Sequence, residues 1–228
     1  MTGTKFIQRV YGSWDLGLNY SNSSQNVQFN SNLSVGYRLP KLEFSITNYL
    51  NATNKYGDST VSKKEDVDLT TLIFLKRSFF ILTELGWQKN TELGLANRFL
   101  FNGAFGKTIL ADNHNRLRSA VGESMNLEKS IDGGDYIGNL DGLGVIQYKR
   151  FYNSTPKLSI DADYYIFPSL SDWGRVRMEF DLGIKVEIIK DFNVGLTGYY
   201  NYDSHPLEGA SSNHDYGLNF TLGYQFGK

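Results

Sequence analysis

Apolar and polar side chains alternate along most of this chain, and this period of two residues constrains its fold more than any other feature. Between Arg175 and Lys185 every second residue is apolar, and most residues between them are charged. Such a period is that of a β-strand. The pattern recurs in blocks of about ten residues, the length that a tilted strand needs to cross a bilayer. The sequence therefore predicts an all-β protein, a transmembrane antiparallel up-and-down β-barrel.

The composition is compatible with a barrel and excludes several other classes. The 228 residues show no break in composition, which favours one domain, and the absence of cysteine excludes a disulfide scaffold or a thiolate site. A net charge of -1 argues against a nucleic-acid partner. The longest apolar runs, Leu72–Leu75 and Phe79–Leu82, are too short for a spanning helix. The 15 Tyr and 15 Phe suit strands and membrane interfaces.

Alternation and turn residues predict about twelve strands, an even number as in bacterial single-chain barrels. Residues 1–11 are expected to form an N-terminal periplasmic lead-in, and residues 12–226 a single barrel domain. No secretory signal precedes the first strand, so we expect Met1 to begin a processed chain. In two middle segments the faces mix, a β-bulge is expected, and no side chain is assigned a face. The predicted strands are Gly12–Ser21, Val27–Tyr37, Leu42–Leu50, Glu65–Leu75, Phe79–Gln88, Glu92–Phe105, the two mixed segments Arg116–Leu127 and Asn139–Arg150, Leu158–Phe167, Arg175–Lys185, Phe192–Tyr202 and Asp215–Phe226.

The connections between these strands sort by length, as those of outer-membrane barrels do. With the amino terminus in the periplasm, most of the longest and most polar loops fall outside. A soluble β-sandwich also alternates, but it needs fewer aromatic residues on its apolar faces. Inside turns are expected near Leu39, Ser78, Ala111, Tyr152 and Ile189, and outside loops near Ser24, Gly57, Asn90, Asp132, Ser169 and Gly209.

Four segments carry a resemblance to a known family. They are Gly12–Ser21, Asn90–Leu93 running into Arg98, Phe167–Arg175 and Asn201–Ala210. In this order they resemble the domain-of-unknown-function 481 family, which comprises expected outer-membrane barrels, some of them labelled salt-stress-induced. The resemblance implies a barrel in the bacterial outer membrane. It brings no reaction, cofactor or catalytic residue, and the periplasmic domain that some members carry is not expected ahead of this barrel.

Three histidines are the residues to consider for hydrolysis, because an outer-membrane hydrolase needs a His beside a Ser or an Asp. His114 falls in a predicted periplasmic turn, while His205 and His214 flank one external loop rich in acidic residues. A solvated loop is favoured over a metal or acid–base site, because no strand fixes these groups. The segment Asp132–Asp135 offers calcium-type ligands but does not match the EF-hand pattern, so a plain loop is favoured there as well. No catalytic residue, cofactor or metal is predicted.

The charged residues that face inward form the candidate site. Their mixed signs favour mutual neutralisation in a narrow lumen, hence a structural network, over a transport path. If Phe167 and Arg175 flank their loop, Asp161 and Asp163 lie beside Arg177 and Glu179. The set is Glu84, Arg98, Asp161, Asp163, Arg175, Arg177, Glu179, Asp181 and Lys185.

These observations lead to a hypothesis of function. We expect a non-enzymatic barrel of the bacterial outer membrane that serves as an envelope component, a partner-binding platform or a narrow restricted pore. The alternatives are a barrel hydrolase acting on lipid or peptide, and a substrate-specific channel. Outer-membrane lipid and other envelope proteins are the expected partners, and nucleic acid is not.

Overall fold

A computed structural model describes residues 9–21, 26–55, 61–152 and 155–227 of the chain. Twelve antiparallel strands in these ranges follow one another around a closed barrel, so the predicted all-β barrel and its strand number are confirmed. No helix in the same ranges is long and apolar enough to cross a membrane. The strands are β1 Val10–Ser21, β2 Asn26–Leu39, β3 Leu42–Lys55, β4 Val61–Phe74, β5 Phe79–Asn90, β6 Leu95–Ala111, β7 Asn115–Ser130, β8 Gly133–Tyr152, β9 Leu158–Pro168, β10 Val176–Ile189, β11 Phe192–Asp203 and β12 His214–Phe226.

The first and last strands close the barrel. β1 pairs with β12 in a register that runs from Gly12 opposite Phe226 to Leu16 opposite Leu222. Each described strand therefore has a hydrogen-bonded neighbour on both sides. Such closure is what lipid requires, because an unpaired backbone N–H or C=O in hydrocarbon costs several kcal/mol.

The outer face of the barrel is apolar and its inner face is polar, the reverse of a soluble protein. On β12, for example, Asn219 and Thr221 are buried, whereas Leu218 and Phe220 between and beside them are 58% and 71% exposed. Apolar side chains face outward because lipid, rather than water, covers the outside of such a barrel.

The strand ends differ in places from those predicted. β1 begins at Val10 rather than Gly12, and β6 begins at Leu95 rather than Glu92. The second difference arises because residues 91–94 form a turn that ends in Gly94, whose φ of 68° favours glycine. Residues 1–8 and the loops expected near Ser24 and Gly57 lie outside the described residues.

The predicted β-bulges lie close to the two mixed segments. Between the bulges, inward and outward side chains alternate regularly. Register shifts lie at Thr108/Leu110 between β6 and β7 and at Glu128/Ser130 between β7 and β8. Small residues such as Ala120 and Gly122 point inward there. The alternation of polar and apolar residues was unclear in the sequence of these two segments because their inner face is partly apolar.

Short turns join the strands at one end of the barrel, the turn end, and the longest described connections, residues 169–175 and 204–213, lie at the other, the loop end. The loop expected near Asp132 is only a two-residue turn, because β7 and β8 extend to Ser130 and Gly133. In the turn between β6 and β7, Asp112 accepts hydrogen bonds from the backbone N–H groups of His114 and Asn115, at 2.7 Å and 2.6 Å. These bonds stabilise the carboxylate and hold the pKa of Asp112 below its usual range.

The expected pairing of β9 with β10 is wrong by two residues. Phe167 lies opposite Arg177, and Asp163 lies opposite Asp181 rather than beside Glu179. The reason is that Arg175 belongs to the loop. Its carbonyl accepts a hydrogen bond from Ser169 N at 2.9 Å, and its N–H donates to Asp172 O at 3.0 Å.

The facing of β10 predicts unequal effects of two neighbouring substitutions. Leu182 faces outward between Ala162 and Gly198, while Asp181 faces the lumen. We expect Leu182→Arg to lower the free energy of unfolding by roughly 2–4 kcal/mol, because it places a charge in lipid. Asp181→Asn should cost less. Unfolding titrations in lipid vesicles measure both, and equal losses would contradict the facing.

Candidate functional site

The lumen is the candidate site, because side chains from strands that are not neighbours meet inside it. Hydrogen bonds between these side chains cross the interior of the barrel instead of following its wall. An interior of about twelve strands lies between small filled barrels and open porins, so its contents decide whether it is open. The bonds are Lys64 to Asn201 at 3.5 Å, Asn51 to Tyr199 at 3.0 Å, Asn90 to Asp215 at 2.7 Å and Gln88 to Glu179 at 3.4 Å.

Near the loop end four buried residues form a network that we call the arginine belt: Arg98, Glu128, Arg175 and Asp203. Arg98 donates to Glu128 Oε2 from Nε at 3.0 Å and from Nη2 at 2.7 Å. Arg175 donates to both Glu128 oxygens, at 2.5 Å and 3.3 Å, and to both Asp203 oxygens, at 3.0 Å and 2.6 Å. The belt thereby connects β6 and β7 to the β9–β10 loop and the end of β11.

A second ion pair lies next to the belt. Arg177 donates to Asp141 Oδ2 at 2.6 Å, and its guanidinium lies 4.6 Å from the centre of the Phe167 ring. Both charged groups are buried. Removing one partner of such a pair typically costs 3–5 kcal/mol, because a buried charge is left uncompensated.

The space beside the belt is small. A cavity of about 20 Å³ is lined by Lys64, Gln88, Arg98, Arg177 and Asn201 among others. This is room for about one water molecule. The lumen is therefore closely packed at this level.

The connection between β11 and β12 extends over the loop end. Ser211 Oγ donates to Glu92 Oε2 at 2.5 Å, in the turn between β5 and β6. The carbonyl of Glu208 accepts a hydrogen bond from Ser130 Oγ at the end of β7, also at 2.5 Å. Because β5–β7 are not neighbours of β11 or β12, this connection crosses the mouth.

Below the belt the lumen is acidic. Lys64 pairs with Asp66 at 3.2 Å and lies 5.1 Å and 4.5 Å from the rings of Tyr49 and Tyr199. Glu84 accepts a hydrogen bond from Asn102 at 2.7 Å. The acidic side chains of this layer are Asp66, Asp68, Glu84, Asp163, Glu179 and Asp181.

Towards the turn end the lumen contains separate ion pairs, and an apolar cluster extends from there along one side of the lumen up to Phe167 beside the belt. Lys185 on β10 reaches Asp15 on β1 at 2.5 Å, and Lys149 reaches Asp161 on the neighbouring strand at 2.6 Å. The cluster fills the side of the lumen formed by β4–β9. It comprises Leu72, Phe80, Leu82, Ala104, Ala120, Leu143, Val145 and Phe167.

The nine predicted residues are divided among three levels, and Gln88 connects the belt to the acidic layer by accepting a hydrogen bond from Arg98 and donating one to Glu179, both at 3.4 Å. Arg98, Arg175 and Arg177 lie at the belt, and Asp161 and Lys185 near the turn end. The remaining four are in the acidic layer. The chief partners were not predicted, since Asp141 lies in a mixed segment, and Glu128 and Asp203 each lie one residue beyond a predicted strand end. Lys64 could have been found by extending the alternation of β4 by one step from Asp66.

The histidine rings contact residues outside this lumen network. His205 Nδ1 lies 3.3 Å from Asp172 Oδ2, and His214 Nδ1 lies 2.7 Å from the Tyr200 hydroxyl. His114 donates its backbone N–H to Asp112. Within the described ranges no group of three or more His, Asp and Glu side chains is arranged to hold a metal ion.

Comparison with known proteins gives structural likenesses at low sequence identity. The NanC porin is 11% identical, with 95% of this chain and 98% of that chain covered and a TM-score of 0.55. The translocator domain of the autotransporter NalP from Neisseria meningitidis is also 11% identical, with 97% and 89% covered and a TM-score of 0.50. No curated protein matches the chain. At this identity the likeness shows the fold, an outer-membrane-type β-barrel.

A family model matches nearly the whole barrel. It spans residues 14–226, from the first strand to the last, and is described as "Protein of unknown function, DUF481". The match agrees with the resemblance carried by the four sequence segments. The chain belongs to the DUF481 family.

Proposed function

We propose that this protein is a non-enzymatic barrel of the bacterial outer membrane that acts as a narrow pore, held closed by the arginine belt. The belt carries the proposal. It joins residues from opposite parts of the barrel wall, at the level where the β11–β12 connection also crosses the mouth.

The polar nature of this closure suits a pore that opens. A buried ion pair adds little to stability compared with well-packed apolar groups of similar volume. An apolar plug would expose hydrocarbon to water when it moved, whereas separated arginine and carboxylate groups regain hydration. The arginine belt therefore suits a reversible barrier better than a permanent seal.

The outer surface supports the location. Large apolar side chains are exposed on the outward face around the barrel, among them Leu18, Phe105, Val121 and Phe220. Lipid is the expected partner of this surface. A hydrolase has less support, because the one contact of a His ring with an Asp among the described residues, His205 with Asp172, is about half exposed in connections at the loop end, and the His214 ring contacts Tyr200.

Single-channel recording in planar bilayers tests the closure. We expect low conductance from the parent protein. The double variant Glu128→Ser plus Arg175→Ser should conduct roughly threefold more or better, because it removes a pair that joins β7 to the β9–β10 loop across the lumen and leaves Arg98 and Asp203, 3.8 Å apart, as partners.

A matched control is Lys149→Ser plus Asp161→Ser. It removes an ion pair between neighbouring strands that does not cross the lumen, so its conductance should equal that of the parent. Steady porin-like conductance in the parent would refute the closed pore. So would a belt variant that folds, as judged by heat-modifiable migration on a gel, yet conducts no more than the control.

Replacing His114, His205 and His214 together with Ala should leave folding and conductance unchanged, because each histidine lies in or beside a connection rather than in the lumen network. Assays of lipid and peptide hydrolysis on the parent and the triple variant provide the second measurement. A hydrolytic activity that the parent has and the variant lacks would overturn the non-enzymatic proposal.

A further inference from the structure

A carboxyl group lies on the lipid-facing side of β7. Glu123 is exposed and has the outward orientation of its neighbours Val121 and Met125, which are 69% and 55% exposed. Its side chain forms no hydrogen bond or ion pair with any residue in the described part of the chain. An ionisable side chain inside a membrane is costly and is a functional candidate by default.

Two lysines define the depth of Glu123 in the membrane. Lys107 lies over the Phe79 ring at 5.3 Å, and Lys129 over the Tyr136 ring at 5.6 Å. Lysines and aromatic rings of this kind mark the two membrane interfaces. Lys107 on β6 lies at the level of Ser119 on β7, with which it pairs, and Lys129 is itself a residue of β7. The ten residue steps from Ser119 to Lys129 span about 33 Å along the strand, or about 25 Å when tilted, which matches the apolar band of a barrel. Glu123 lies near its centre.

The strands on either side of Glu123 differ in shape. Its direct neighbours are Gly103 on β6 and Gly142 on β8, so no side chain covers the carboxyl group. β6 bears a ridge of exposed Phe99, Phe101 and Phe105, each about half exposed. β8 instead has a glycine groove, defined by the outward-facing Gly138, Gly142 and Gly144, with the outward side chain of Leu140, 36% exposed, between the first two.

We propose that two copies of this protein associate in the membrane about a two-fold axis that passes close to Glu123. Rotation by 180° about an axis normal to the membrane places β6 of one copy against β8 of the other. The phenylalanine ridge of each copy then packs into the glycine groove of its partner, and the contact occurs twice. Such a self-complementary patch is what a two-fold interface requires.

Symmetry also provides a partner for the carboxyl group. The two Glu123 side chains lie at the same depth by construction, so they meet at the axis. When the pair holds at least one proton, the O–H of one carboxyl donates to an oxygen of the other. The interface thus removes an unsatisfied polar group from lipid, which an apolar partner surface would not do.

Two substitutions at position 123 test whether the paired side chains stabilise the dimer or whether the interface merely accommodates a polar residue. Glu123→Gln should keep the dimer, since two amides can exchange N–H···O bonds. Glu123→Ala should weaken it about tenfold or more. The measurement is the monomer–dimer equilibrium of the parent and variants, by single-molecule photobleaching in lipid vesicles at increasing dilution.

A further pair tests the groove. Gly142→Leu fills it and should also weaken the dimer. Its control is Gly198→Leu on β11, away from the interface. In both cases the nearest atom to the new Cβ is a side-chain carbon 3.3 Å away, Pro168 Cγ or Leu218 Cδ1. Heat-modifiable migration establishes that each variant is folded.

Cross-linking locates the axis, because the chain has no cysteine of its own. With a short bifunctional maleimide, Met125→Cys should give a cross-linked dimer and Leu222→Cys on β12 should not. A parent that is monomeric at all dilutions, or cross-linking equal at both positions, would overturn the proposal. Equal weakening by Gln and Ala at position 123 would overturn the carboxyl pairing. None of these results depends on whether the lumen conducts.

Discussion

Pairing of every strand with two neighbours is the constraint on which the rest of this structure depends. Lipid offers no partner to a backbone N–H or C=O, so the sheet must close on itself, here through β1 and β12. Closure fixes one inner and one outer face, and with a side-chain period of two it decides where each residue points. The alternation that is visible in the sequence thereby becomes a boundary between lipid and lumen.

The closed wall brings inner faces from opposite strands within reach of each other. Charged groups that would be solvated on an open sheet are buried here and must find partners across the interior. Glu128 shows the result, since its two oxygens accept hydrogen bonds from both Arg98 and Arg175 and its side chain is fully buried. The proposed barrier is a consequence of this narrow geometry, and its ionic composition allows water to replace the contacts.

The same wall makes the outer face uneven. Aromatic side chains on β6 and glycines on β8 border a single carboxyl group at the centre of the apolar band. In water such a group would need no explanation. In hydrocarbon it costs free energy, and the shape of the surface around it is suited to a second copy of the chain. The barrier proposed in the lumen and the association proposed at the outer face therefore involve opposite faces of one sheet.

The sequence alone determined the architecture, because side-chain direction along a strand depends only on parity. It identified twelve strands, the outward face of β10, and the inward side chains of Arg177 and Lys185. It could not determine which charges meet. That depends on register and on closure: the β9–β10 hairpin turns one residue later than predicted, over residues 169–175, which placed Asp163 opposite Asp181, and only the curvature of the wall brought Lys185 to Asp15. Glu128, Asp141 and Glu123 were missed because small and apolar residues on the inner face of β7 and β8 obscured the parity there. These partners lie far apart in the sequence, and the tertiary structure alone brings them together.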